Sequence, residues 1–253
     1  MDDKSQVPII NVHFIDTGHS WNYYNLKRSD FQKTYGNLIG AEPAISGRVI
    51  DIGCGHGDNP AYKYFEASVG QLDGVDPFPM IEPAPNLANR WTCGVEELPV
   101  GDNTYDMAYS YNVVEHVKEV DPFLRKVVAI IKPGACYWSM SPNYYHPFAK
   151  ITRTIQASGL LNFYKKLVSS QARQAVNDYP AYYNMSRESN IVSSIKKQKL
   201  PITKIDFYYI PNAQWDHYFP PKLRFVARIM DNMWILRRPR KSFIFMFRIE
   251  KAA

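Results

Sequence analysis

Residues Val49 to Asp58, VIDIGCGHGD, constrain this chain more than any other stretch. A run of branched apolar residues passes directly into Gly53, Gly55 and Gly57. A buried parallel strand that ends in alternating glycines lets the backbone turn sharply and approach a ligand closely, and amides opening the next helix then favour a polar or anionic group. The stretch therefore predicts a nucleotide-type cofactor loop in a doubly wound α/β domain. Its spacing narrows the cofactor. A dinucleotide fingerprint requires Gly-x-Gly-x-x-Gly, whereas here the third glycine comes one residue early and Asp58 stands where the last would be. A Gly-Lys-Ser/Thr phosphate loop is also missing. Asp51, two residues before the first glycine, offers a carboxylate that can meet an ammonium group.

A chain of 253 residues suits one α/β domain with insertions over a single core. No apolar run reaches the roughly 18 residues that suggest a membrane span, and the opening MDDKSQVPII lacks the basic-then-apolar order of a secretory signal. A cytoplasmic protein is expected. Cys54, Cys93 and Cys136 are odd in number and widely spaced, which suggests reduced thiols rather than a disulfide framework or a zinc site. The net charge of +6 is uneven: from Lys196 onward there are 13 Lys and Arg against 4 Asp and Glu.

In chain order, the run LKRSDFQKTYGNLIG reads as a helix ended by Gly40, and the aromatic residues before it could fold over a ligand; His19 and Trp21 are expected simply to pack. Residues 59–67 suit a first sheet-covering helix. The strand in LDGVDPFP ends at Asp76, about 20 residues past the loop, where a carboxylate accepts hydrogen bonds from ribose hydroxyls. Pro77 and Phe78 could flank an adenine. A turn at 101–103 leads to a strand over 105–112. Asp121 and Pro122 predict an N-cap and first-turn proline for a helix whose apolar face is Val120, Phe123, Leu124, Val127, Val128 and Ile131. Lys132-Pro133-Gly134 stops it, and 135–141 is a buried strand.

The succession Asp-Ile-Gly-Cys-Gly-x-Gly, Gly-Val-Asp, Val-Glu-Glu-Leu-Pro, Asp-Asn-x-Tyr-Asp and Val-Val-Glu-His-Val resembles the class I S-adenosylmethionine-dependent methyltransferases of the ubiquinone-biosynthesis type, over Val49 to about Asn143. The resemblance implies a Rossmann-like, seven-stranded, mostly parallel sheet with helices on both faces. It implies that Gly53, Cys54 and Gly55 lie along the methionine part of the cofactor, with Asp51 near its ammonium and Asp76 on the ribose. Val95 and Glu96 would border the adenine; Gly94 stands where relatives carry an acid, and Glu96 is the substitute at hand. The bend from Asn112 to His116 would border the cofactor and face the transferred methyl. His116 has the intrinsic pKa of a general base and Glu115 could orient it. Some relatives bind a divalent metal with this Glu and His plus an earlier acid; Asn112 takes the earlier place here, so no metal is expected.

Beyond Asn143 the resemblance is loose. A helix is read from Ile151, Ile155, Leu160, Leu161, Tyr164, Leu167 and Val168, another over 186–200, and strands over 202–210 and 242–249 complete the sheet. The domain then divides into an N-terminal helix or cap (1–48), a cofactor-binding core (49–143), and substrate-covering insertions at 144–185 and 211–240. His146, just past the fifth core strand, is a second candidate base; His56 would pack beside the cofactor and His217 sits in the second insertion. Tyr144, Tyr145, Tyr179, Tyr182, Tyr183, Trp215, Tyr218 and Phe219 suit sugar rings and aromatic acceptors equally. The expected activity is O-methylation of a small molecule, a sugar or a carrier-linked glycan, with a quinone or other aromatic acceptor behind. A nucleic-acid acceptor is the reading the basic tail invites, but no RNA- or DNA-binding module accompanies it. A helix bearing Leu223, Val226, Ile229, Met230, Met233 and Trp234, followed by RRPRK, suggests weak peripheral contact with anionic lipid or, more simply, a core stripe. A cofactor-binding protein without catalysis and a nicotinamide enzyme are the remaining alternatives.

Overall fold

The computed structural model describes residues 14–16, 19–25, 30–79, 84–159, 166, 180–210, 219, 221–226, 229 and 242–253. Its strands are β1 (Phe14–Asp16), β2 (His19–Asn25), β3 (Arg48–Ile52), β4 (Gln71–Val75), β5 (Asn89–Trp91), β6 (Tyr105–Tyr111), β7 (Ile131–Pro142), β8 (Ile202–Ile210) and β9 (Ile244–Lys251). They form one sheet in the order β1-β2-β8-β9-β7-β6-β3-β4-β5. The seven expected strands, β3 to β9, are the Rossmann-like part. β3, β4, β5, β6 and β7 run parallel and β9 lies antiparallel between β7 and β8.

Two further strands, not anticipated from the sequence, precede the N-terminal helix. β2 pairs parallel with β8, and β1 folds back on it antiparallel. Tyr24 stacks on Tyr208 at 4.6 Å, and Asn22 donates to the buried Asp206 at 2.7 Å. The predicted helix is present but shorter: α1 spans Phe31–Gly40, its N-cap Asp30 accepting from the amides of Gln32 and Lys33.

Alternation along the strands sorts the core into two layers. On one face Ile50 and Ile52 of β3 pack with Phe123, Leu124 and Val127 of α2 (Val120–Ile130) and Ile191 and Ile195 of α4 (Glu188–Gln198). On the other, Val49, Met107, Tyr109 and Trp138 pack with Tyr35 and Ile39 of α1 and with Ala61 and Phe65. A further helix, α3 (Pro147–Ala157), follows β7 and covers the first part of the predicted 151–168 helix; the rest of that span, apart from 158–159 and Lys166, lies outside the described residues, as do Tyr179, Trp215, His217, Tyr218, Met230, Met233 and Trp234. Among the described residues no helix is long and apolar enough to cross a membrane.

Two local expectations are overturned. Residues 59–67 do not form an α-helix; they make two short 3-10 turns, Tyr62–Tyr64 and Glu66–Ser68. Phe65 lies between them with φ −134°, outside helical geometry, and is buried against Tyr109 in an edge-on contact. Asp121 does not cap α2, whose N-cap is Glu119. Its carboxylate instead accepts from Ser194 and Lys197 of α4, both at 2.6 Å, tying the two helices together.

At the end of the sheet away from the carboxyl ends of its parallel strands, the fully buried Asp73 of β4 accepts from Arg48 of β3 (2.8 Å), Asn89 of β5 (2.8 Å) and Tyr105 of β6 (3.3 Å). One carboxylate thus fixes four neighbouring strands in register and leaves their other ends to be shaped by loops.

Candidate functional site

The chain leaves β3 to build β4 and β5 on one side and β6 and β7 on the other, so the crevice at the carboxyl end of β3 is the topological switch point where ligands of open α/β sheets bind. A cavity of about 640 Å³ lies there, lined by residues that include Gly53, Gly55, His56, Asp76, Phe78, Arg90, Asn112, His116 and Tyr182. The loops after β3, β4 and β6 all reach it.

The glycine loop is held from below. The amides of Gly53 and Cys54 both donate to the carbonyl of Val75, at 2.7 and 3.2 Å, which joins the loop to the end of β4. Gly53 has φ +75°, and a Cβ on it would land on Val113. Gly55 has φ +53°, yet nothing stands within 4 Å of where its Cβ would be. That open space belongs to the cavity, and only a glycine keeps it clear. Cys54 faces away: its sulfur packs under Gly74 and burial pushes the thiol up to about 12, so it lines nothing and is inert. Any contact it makes with a ligand comes from its backbone.

Asp76 is held ready for a partner. Its carboxylate accepts from the amides of Gly55 and Phe78, both at 2.9 Å, while facing the cavity. A carboxylate offers about four acceptor positions, so two remain for a pair of hydroxyls. Asp51 lies deeper, 2% exposed, on the same face as its neighbour in register, Tyr109. Burial drives its pKa up to about 7, against the pull of Tyr109 and Asn59. One Asp51 oxygen, the Tyr109 hydroxyl and the Asn59 amide nitrogen are all buried without a partner in bonding geometry. Tyr109 and Asn59 therefore lie near enough to favour the charge without completing hydrogen bonds to it. Asp51 itself does not line the cavity; it lies beneath the glycine loop with one oxygen unpartnered.

The bend after β6 begins at Asn112, whose φ of +55° turns the chain, and His116 reaches the cavity from the short 3-10 turn Val114–His116. His116 Nδ1 lies 3.2 Å from the carbonyl of Pro180. A carbonyl can only accept, so Nδ1 is the donor in this contact, and the Nδ1–H tautomer is the one that carries its lone pair at Nε2. The carbonyl of Glu115 accepts from the amides of both Tyr182 and Tyr183, at 2.8 Å, and so straps 180–183 against this turn. The Glu115 side chain is buried and does not line the cavity; burial raises it to about 6 and Oε2 has no partner.

Several predicted site residues are not brought together. His146 does not line the cavity. It is 3% exposed, edge-on to Phe243 at 5.3 Å, and burial lowers its pKa to about 3, which makes it a packing residue and a poor base. Val95 belongs to the core and Glu96 is exposed; neither lines the cavity. Pro77 and Phe78 do line it. Sequence reasoning missed Arg90, Tyr111 and Pro180, while Tyr182, one of the tyrosines singled out for an acceptor, does line the cavity. Arg90 stands on β5 and donates to the carbonyls of Gly55 and Phe78, bridging the loops after β3 and β4. A basic residue one strand beyond Asp76 was the only signal for it. Pro180 carried none, because it comes from the strap.

A profile of the methyltransferase-domain family matches residues 26–181. Two versions of an uncharacterized protein of Mycobacterium tuberculosis are 38% identical to this chain over 56 residues, 22% of it, and the match spans 19% of the length of those relatives. Among solved structures, a SAM-dependent methyltransferase from Archaeoglobus fulgidus superposes with a TM-score of 0.54 at 15% identity, over 87% of this chain and 98% of that one. The [4+2]-cyclase SpnF superposes with a TM-score of 0.51 at 14% identity, over 96% of this chain and 87% of that one. At such identities the likeness is one of fold, and this fold serves more than one chemistry. The profile, which covers more than half of the sequence, places this chain in the methyltransferase-domain family.

Proposed function

We propose that the chain transfers a methyl group from S-adenosylmethionine to a hydroxyl of a small molecule, a sugar or a carrier-linked glycan rather than a quinone or other aromatic compound. The observation that supports this most is the meeting in one cavity of Asp76, with acceptor positions open to a diol, and His116, with its lone pair at Nε2. The residues present fit the cofactor. Asp76 suits the ribose hydroxyls, the partnerless Asp51 oxygen suits an ammonium, and the open side of Gly55 admits the chain between them. When bound, the cofactor supplies an electrophilic methyl on a sulfonium and leaves as S-adenosylhomocysteine.

The chain's own residues do the rest. The glycine loop and Asp76 fix the donor's position, which gives the in-line approach on which displacement depends. An acceptor hydroxyl held beside the bound donor would give its proton to His116 Nε2, and the sulfonium would supply the methyl to its oxygen. Pro180 holds the ring so that this atom is the basic one. Tyr111, Tyr182 and Phe78 supply flat walls that limit water. Val95 and Glu96 do not line the cavity, whereas Arg90 does.

Incubation with methyl-labelled S-adenosylmethionine and a cell extract should label a small or carrier-linked acceptor. Tight binding of S-adenosylhomocysteine with no label transferred would instead favour a binding protein. Asp76→Ala should weaken S-adenosylhomocysteine binding by about 1.5–3 kcal/mol in calorimetry, since hydrogen bonds to a charged acceptor are lost. Unchanged affinity would remove Asp76 from the site.

A further inference from the structure

A second cleft, also of about 640 Å³, opens beside α3 and is lined by Tyr144, Lys150, Arg153, Thr154, Gln156, Ala157 and Ala181. Its charge is one-sided. The Arg153 guanidinium lies over the Tyr144 ring at 5.6 Å and that of Arg187 over the same ring at 3.5 Å. Among the described residues no acidic side chain pairs with Lys150, Arg153 or Arg187, and Arg187 Nε is buried without a hydrogen-bond partner. Cations gathered on one tyrosine repel one another, and the ring quadrupole offsets little of that in a water-exposed cleft.

The cleft has a fixed relation to the proposed catalytic cavity. Pro180 and Tyr182 line the cavity under His116, while Ala181 between them lines the cleft. Three consecutive residues therefore separate the two spaces, and Tyr144 stands on the loop after β7, at the same edge of the sheet. A molecule extending across the strap would place one end at His116 and the other among the cations.

We propose that the cleft is a phosphoryl subsite: the methyl acceptor carries a phosphate or diphosphate, held by Lys150 and Arg153 from α3, while Arg187, stacked on the Tyr144 ring, adds positive charge nearby. A phosphoryl group spreads its charge over several oxygens and can be met from more than one side by guanidinium donors. Tyr144, which lines the cleft, supplies an aromatic wall for the sugar or ring next to the phosphate. The inference rests on the methyltransferase reading and names the acceptor class for it.

Calorimetry with inorganic pyrophosphate at low salt tests the site directly. The full chain should bind pyrophosphate, and Lys150→Ala with Arg153→Ala, both surface positions, should weaken it at least tenfold while S-adenosylhomocysteine affinity stays the same. Sedimentation with phosphatidylcholine vesicles doped with phosphatidic acid separates the sources. Loss of vesicle binding in the double variant, with pyrophosphate ignored, would assign the phosphoryl group to a lipid headgroup; pyrophosphate binding without a vesicle effect would assign it to a small or carrier-linked acceptor. If neither probe distinguishes the double variant from the parent while both proteins bind S-adenosylhomocysteine, the subsite is overturned and the methyltransferase reading stands. Failure to bind S-adenosylhomocysteine would strike the methyltransferase reading itself.

Discussion

Asp51 and His146 show how burial decides what a titratable side chain does. Asp51 has its folded pKa raised to about 7, so between about pH 4 and 7 the unfolded chain gives up a proton that the folded one keeps. The cofactor-free protein therefore loses stability as pH rises through that window. Asp51→Asn removes the effect, and its urea midpoint should exceed the parent's at about pH 8 and converge with it near pH 4. An ammonium bound beside Asp51 restores the charge, so S-adenosylhomocysteine binding near neutral pH should release a proton, seen as a dependence of the calorimetric enthalpy on buffer. His146 acts in the opposite sense: its folded pKa of about 3 lies below the unfolded value, and stability is lost as pH falls from about 6.5 towards 3. His116→Ala should lower turnover about 100-fold or more with little change in stability, whereas His146→Ala should reduce stability and leave turnover within a few fold. A reversed pattern would move the base to the loop after β7. Sequence alone ranked these two histidines together, because nothing local reveals that one packs edge-on to Phe243, a residue 97 positions away in the chain.

The glycine loop and the strands around it are where sequence reading succeeded, and the reason is that their signals are local. Alternation marks β3 and β6, the acid at the end of β4 follows at a fixed distance, and apolar spacing marks α2. The loop's glycines can be told apart by what surrounds them. Gly53→Ala should cost about 2–5 kcal/mol, as left-handed strain adds to overlap with Val113, and Val113→Ala in the same chain should recover part of it. Gly55→Ala pays only the strain, about 1–2 kcal/mol, but its methyl enters the cavity and should weaken S-adenosylhomocysteine at least about tenfold. Urea denaturation and calorimetry on both variants would separate packing from ligand clearance. Elements set by distant partners were less legible. Phe65 leaves helical geometry to reach Tyr109, and Asp121 turns from capping its own helix to holding α4. Arg90 joins the site only because β5 lies beside β4.

On the scale of the whole molecule, the largest departure from expectation is the edge formed by β1 and β2. β2 pairs with a strand about 180 residues further on, a contact that no local pattern in HSWNYYN announces. A chain lacking residues 1–29 uncovers the β8 edge, with Tyr208 and the buried Asp206 losing Tyr24 and Asn22. Such an edge templates pairing between copies, so the truncated chain should self-associate in light scattering where the full chain does not, and should unfold at lower urea. The most consequential placement is that of β9. It is the last of the nine strands to be synthesised, yet it lies between β7 and β8. The donor-binding portion, β3 to β7, can assemble while the rest is still being made. The strands beyond it have nothing to dock on until the final eight-residue strand slides into the gap. During translation, then, a half-built sheet waits with an open flank, and a chain stalled before β9 emerges would lack the strand on which β8, and through it β2 and β1, dock.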